Sequence, residues 1–141
     1  MISEKLKTIV DEINKKGKMA FLESATEEQI AEFEKKHDCQ LPNQYREWLQ
    51  YSDGGELYLP AGVQFYGVAH KPLIDVTADD RPDENYIVIG ALATGDPILF
   101  EKGKECISIY NHEDGRIEED ETYEDYFAFL SDLDGILGIG G

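Results

Sequence analysis

Residues 26–55, TEEQIAEFEKKHDCQLPNQYREWLQYSDGG, read as two short helices, a hard stop and a turn into strands. Thr26 and Gln29 have the spacing of a capping box, in which a hydroxyl and a side-chain amide satisfy opposing backbone donors at a helix start. Ile30, Phe33 and His37 follow at three- and four-residue intervals, which places them on one helical face. Pro42 suits the first turn of the next helix, where its missing N–H is no loss. Tyr45, Trp48 and Leu49 carry a second apolar stripe, and Gly54-Gly55 end it.

Upstream, Leu6, Ile9, Val10 and Ile13 form a clean apolar stripe, so a first helix is predicted over residues 3–16. Ser3 can cap it and Gly17 can end it, with Lys15, Lys16 and Lys18 near the negative end of its dipole. Met19 to Leu22 read as an apolar connection pinned to the core. Downstream of Glu56 the period changes from helical to alternating. Leu57 and Leu59 flank Tyr58 in one strand; Val63, Phe65 and Val68 mark a second. Residues 78–85 are a polar loop. Tyr86 to Leu92 is a strong strand whose consecutive Ile87, Val88 and Ile89 suit a central position covered on both faces. Further strands are predicted at Ile98–Phe100 and Cys106–Tyr110, with turns at Gly95-Asp96 and Asp114-Gly115. Thr122 with Asp125 can open a last helix that packs Tyr126, Phe127, Phe129, Leu130 and Leu133 inward, ahead of a small apolar tail from Gly135. Helices first, then strands, then a helix is the α+β pattern: N-terminal helices and a C-terminal helix on a largely antiparallel, mixed sheet.

These residues resemble the SUKH superfamily, the Smi/Knr-type domain of fungal cell-wall regulators and many bacterial immunity proteins. Its Thr-x-x-x-Ile-x-x-Phe-Glu element is matched by Thr26, Ile30, Phe33 and Glu34. Its Leu-Pro-x-x-Tyr-x-x-Phe-Leu element is matched by Leu41, Pro42, Tyr45, Trp48 and Leu49, with Trp for Phe. Asp53-Gly54-Gly55 stands where the family has an Asn-Gly-Gly turn. Weaker similarities are Phe65-Tyr66-Gly67, the 95–98 turn, and the closing aromatic helix with Tyr126, Phe127 and Leu130. The resemblance spans roughly residues 25–131 of one domain covering 1–141, with the amphipathic helix 3–16 as an addition. It implies the α+β fold and a non-catalytic, protein-binding role.

Composition narrows the function. A chain of 141 residues with 8 Tyr, 6 Phe and one Trp can bury a sizeable core. Residues 1–17 are amphipathic and of mixed charge, unlike a secretory signal, and no 18-residue apolar run offers a membrane span. A cytoplasmic protein with two reduced thiols, Cys39 and Cys106, is expected. The net charge is −17. It is unevenly placed: residues 1–22 hold five lysines against three acids, whereas residues 101–141 hold three cations against twelve acids. Such a field repels nucleic-acid phosphates and anionic membranes and attracts a basic protein.

No catalytic constellation stands out. His37, His70 and His112 are scattered, and Ser52 lacks the G-x-S-x-G elbow that exposes a nucleophile. The Asp132-Leu133-Asp134-Gly135 run fails as a calcium loop, because apolar residues follow it and no Glu closes it. No metal and no cofactor are expected. The acidic segment Glu113, Asp114, Glu118, Glu119, Asp120, Glu121, Glu124 and Asp125 is the candidate partner-binding surface. Its plainer reading is a solvated loop and helix N-terminus, where acids suit the dipole. Solubility, however, needs a net charge of only about 2–8 in a small domain. A second candidate is a concavity at Trp48, Tyr51, Asp53, Gly54, Gly55, Tyr58, Gly95 and Asp96, with Tyr51 and Tyr58 facing outward. The expected function is neutralisation of a cationic, nuclease-type toxin by an immunity protein. The alternatives are a cytoplasmic regulatory adaptor like the fungal relatives, and a small-ligand or hydrolytic domain.

Overall fold

Ser3 caps α1 (Glu4–Lys16): its hydroxyl accepts from the Leu6 amide at 3.3 Å, and the Gly17 amide closes the far end on Ile13. The computed structural model describes residues 3–59, 62–70, 73–76 and 81–136, excepting the side chains at 59, 118–121 and 134. Next come β1 (Lys18–Ala20), α2 (Glu27–His37), α3 (Asn43–Tyr51), β2 (Gly55–Leu59), β3 (Val63–Phe65), β4 (Tyr86–Leu92), β5 (Pro97–Glu101), β6 (Ile107–Asn111), β7 (Arg116–Tyr123), α4 (Tyr126–Ser131) and α5 (Leu133–Ile136).

The capping box at Thr26 is formed in both directions, at 3.1 and 2.9 Å. Asp38, at φ 49°, ends α2 in the left-handed conformation that polar Asx residues tolerate. Glu34 then joins two helices: its carboxylate accepts from the Leu41 amide at 2.7 Å and from Arg46 of α3 at 3.0 Å. Pro42 stands one place earlier than expected, as the residue before α3, and the freed Asn43 amide is taken by the Glu105 carboxylate at 2.9 Å.

The seven strands form one antiparallel meander in sequence order, β1 to β7. Among the described residues the parallel contribution is an isolated bridge, Gly67 with Leu73. The helices cover one face. Leu6, Val10 and Ile13 of α1 join Tyr45, Trp48 and Leu49 of α3 and Tyr126, Phe129 and Leu130 of α4 over Leu57, Phe65, Ile87, Ile89, Ile98, Phe100, Ile107 and Ile109. Tyr45, Trp48, Phe65 and Tyr126 meet edge-on or tilted, with centroids 4.9–6.2 Å apart, the offset geometry that aromatic quadrupoles favour. β4 sits at the sheet centre, and Val88 is buried on its other face with Leu99 and Tyr110.

Three elements differ from expectation. Met19 and its neighbours form an edge strand rather than a plain connection, and Phe21 and Leu22 beyond it are exposed. The acidic residues 116–123 are strand β7, not a loop, because pairing with β6 supplies their backbone partners. The final helix is opened by Asp125, whose carboxylate accepts from the Ala128 amide at 2.8 Å, rather than by Thr122. Residues 78–80 of the expected polar loop, and the tail beyond Ile136, lie outside the described residues.

Candidate partner-binding surface

The group expected to line a concavity is instead a packed knot. Trp48 and Asp53 are fully buried and Tyr58 is 5% exposed. Trp48 donates its indole N–H to the Gly54 carbonyl at 2.9 Å. The Ser52 hydroxyl lies 2.9 Å from the same carbonyl and accepts from the Leu22 amide at 3.0 Å. Gly54 and Gly55 adopt φ of 101° and 116°, which L side chains rarely reach, so this turn needs glycine. Tyr58 faces inward because the β1–β2 register shifts there and its φ is 58°; its ring lies across Gly17, where an added Cβ would stand 2.5 Å from the ring. Tyr51 is half-buried, edge-on to Phe21. Gly95 and Asp96 do not join this group. The register sets Gly55 opposite Phe65, and Phe65 opposite Gly90, whereas the 95–96 turn follows the end of β4 and meets His112.

Two aspartate–histidine pairs assemble from distant parts of the chain, which the sequence reading missed. Asp53 accepts from the amides of Val68, Ala69 and His70 at 2.7–2.9 Å and faces His70 Nδ1 at 2.8 Å. This carboxylate is saturated and ties the end of α3 to the loop after β3. Gly67 is required beside it, since a Cβ there would meet the Asp53 carbonyl at 2.4 Å. Asp96 faces His112 Nδ1 at 2.5 Å and joins the β4–β5 and β6–β7 turns. The Ser52 hydroxyl serves the backbone rather than either histidine. Among the described residues, no cluster of three or more His, Cys, Asp or Glu side chains could hold a metal ion. Cys39 and Cys106 are half-buried free thiols, and burial, then the Glu34 charge, pushes Cys39 above its usual range.

The acidic segment is extended, not clustered. Glu113 and Asp114 are exposed in the β6–β7 turn, where the Asn111 side chain accepts from both their amides. The backbones of Glu118, Glu119, Asp120 and Glu121 run along β7; their side chains lie outside the described residues. Glu124 is exposed just past the strand. Asp125 is partly committed to the fold, since it caps α4 and accepts from Gln44 at 3.3 Å. A β7 of eight residues separates Glu113 from Glu124 by roughly 25–30 Å at about 3.3 Å per residue. Among the described residues, β7 pairs only with β6, so these acids mark a sheet edge.

On the face of the sheet away from the helices, Tyr66, Tyr86 and Ile117 pack against buried Val88, Leu99 and Tyr110. The Tyr86 hydroxyl reaches Glu101 at 3.2 Å. Burial, then the Glu101 bond and charge and Asp83, pushes Tyr86 above the ordinary tyrosine range; burial and Asp75 do the same for Tyr66. Strand parity carried the signal for this face: Tyr86 and Val88, Leu99 and Glu101, and Ser108 and Tyr110 alternate with the core residues of their strands.

No helix among the described residues is long and apolar enough to cross a membrane. A comparison with curated proteins found no match. Residues 24–132, from the segment before α2 to the end of α4, match the model of the SMI1 / KNR4 family (SUKH-1). With the capping box, the Glu34 bridge and the Asp53-Gly54-Gly55 knot in place, the chain belongs to that SUKH family.

Proposed function

We propose that this SUKH domain is an immunity protein that neutralises a cationic, nuclease-type toxin by tight, non-catalytic binding in the cytoplasm. The observation that carries this reading is the placement of the charge excess: the acids of 113–124 follow the open edge strand and its turn, in a chain of net charge −17. Charged edge strands also discourage sheet-to-sheet aggregation. That need is met by a few charges, and −17 lies well beyond the roughly 2–8 that solubility requires. A nuclease grips phosphates with cations, so an acidic inhibitor competes for the same surface. Complementary fields can raise association rates to about 10⁸–10⁹ M⁻¹s⁻¹ at low salt, which suits an inhibitor that must act on a toxin arriving already active. An interface of about 1,200–2,000 Å² is expected.

The test is to identify any toxin with a basic C-terminal domain encoded in the adjacent reading frame and to titrate that domain, with stopped-flow kinetics. Replacing Glu118, Glu119, Glu121 and Glu124 by Lys should slow association about tenfold or more and flatten its salt dependence. Asp125 is left intact because it caps α4. An unchanged affinity removes the acidic edge from the mechanism. Several partners of moderate affinity and no linked toxin gene would favour the regulatory adaptor instead.

A further inference from the structure

An antiparallel sheet with helices on one face ordinarily turns a polar face to water. Here the helix-free face is apolar and aromatic at its centre. Val88 and Leu99 are 4% and 0% exposed with no helix above them among the described residues; half-buried Tyr66, Tyr86 and Ile117 pack against them and Tyr110. Tyrosine combines a large apolar ring with a polar tip and few rotamers, which is why it is enriched at protein interfaces. The Tyr86 hydroxyl donates to Glu101 at 3.2 Å, and the charges of Asp75 and Asp83 act on Tyr66 and Tyr86 respectively. Two cations beside this face, among the described residues, already have partners. Lys104 pairs with Glu101 at 3.3 Å, and Arg81 donates to the carbonyls of Val76 and Tyr86 at 2.8 and 2.9 Å. The face is also continuous with the acidic edge, since Ile117 of β7 packs on it and Thr122 of β7 meets Ser108 at 3.2 Å.

We infer that the tyrosine-covered outer face of β4, β5 and β6, together with its carboxylates, is the docking floor for a cationic protein surface. The acidic edge would steer the partner, and this floor would hold it through arginine or lysine side chains seated on tyrosine rings and beside acids. An aromatic ring attracts a cation by its quadrupole, more strongly as water is excluded. The inference rests on the reading of a basic protein partner given above and deepens it by assigning the contact surface.

The test uses the full chain, ¹⁵N-labelled, titrated with a short soluble peptide of arginine, leucine and serine. A control peptide carries glutamate for arginine. The arginine peptide should shift the amides of 86–88, 99–101 and 108–110 on the unaltered protein, and the glutamate peptide should not. Tyr66→Ser with Tyr86→Ser should weaken the arginine peptide about tenfold or more. Tyr66 serves the Tyr45 hydroxyl through its backbone carbonyl, which that change retains. Should the double variant fail to fold, the shift map on the unaltered chain decides alone. Shifts confined to another acidic region, such as α2, overturn the inference, as do equal shifts with both peptides. The toxin titration separates the two ideas. A toxin that binds the tyrosine variant as tightly as the parent protein sinks only the docking floor, whereas a toxin that binds neither sinks both.

Discussion

Asp53 is fully buried, yet its carboxylate meets three backbone amides and the His70 ring, so its charge is matched by converging donors. A buried charge is tolerable only under such matching. The same contacts explain why Gly54, Gly55 and Gly67 surround it: the chain must turn with positive φ and approach without a Cβ. Asp53→Asn keeps the shape but turns one acceptor oxygen into an NH₂ group facing backbone N–H donors. Charge-assisted hydrogen bonds are each worth about 1.5–3 kcal/mol. A loss of about 3 kcal/mol is therefore expected in urea denaturation, together with faster hydrogen exchange at 68–70. Unaltered stability would show that the knot contributes little. This residue was singled out in the sequence, but for a wrong role. The Asp-Gly-Gly run signals a special turn, while the partners that bury it lie fifteen to seventeen positions downstream.

At the scale of elements, local signals performed best where they close locally. The Thr26–Gln29 box spans three residues and forms as read. Thr26→Ala should lower stability by about 1 kcal/mol, because it leaves the Gln29 amide without its cap; circular-dichroism melts would register this, and an unchanged midpoint would mean the box is idle. The α1 stripe, α3, β4 and the inward face of α4 were legible for the same reason: their periodicity is written in consecutive residues. β1 and β7 were not. β1 has three residues, too few for alternation to show, and it exists through its pairing with β2. β7 reads RIEEDETY, whose acids are depleted in strands, and its conformation is imposed by the β6 hydrogen-bond ladder. Tyr58 faces inward for a related reason, since a register shift overrides the alternation that would turn it out.

Across the whole molecule, the mainly aliphatic core that joins helices and sheet also contains buried tyrosines. Tyr45 and Tyr126 are fully buried, and burial pushes both hydroxyls well above their ordinary range. The sign of the pH effect follows. Below about pH 10 both folded and unfolded chains keep these protons, so they contribute no pH dependence. Above it the unfolded chain releases them and the folded chain does not, so stability falls by about 1.4 kcal/mol per pH unit for each tyrosine. Urea denaturation at successive alkaline pH values should show this slope, and Tyr126→Phe should remove one tyrosine's share. Among the described residues the Tyr126 hydroxyl has no hydrogen-bond partner, so the same substitution should leave neutral-pH stability equal or higher. An unchanged alkaline slope would contradict the assignment. The family, the α+β class, most helices and the uneven charge could all be read from the sequence, because capping, periodicity and composition are properties of neighbouring residues or of simple sums. Only the tertiary structure decided that the Asp-Gly-Gly turn is a buried knot, that the acids follow a strand edge, and that tyrosines from separate strands share one outer face. Those facts depend on strand register and long-range pairing, which no local stretch of chain encodes.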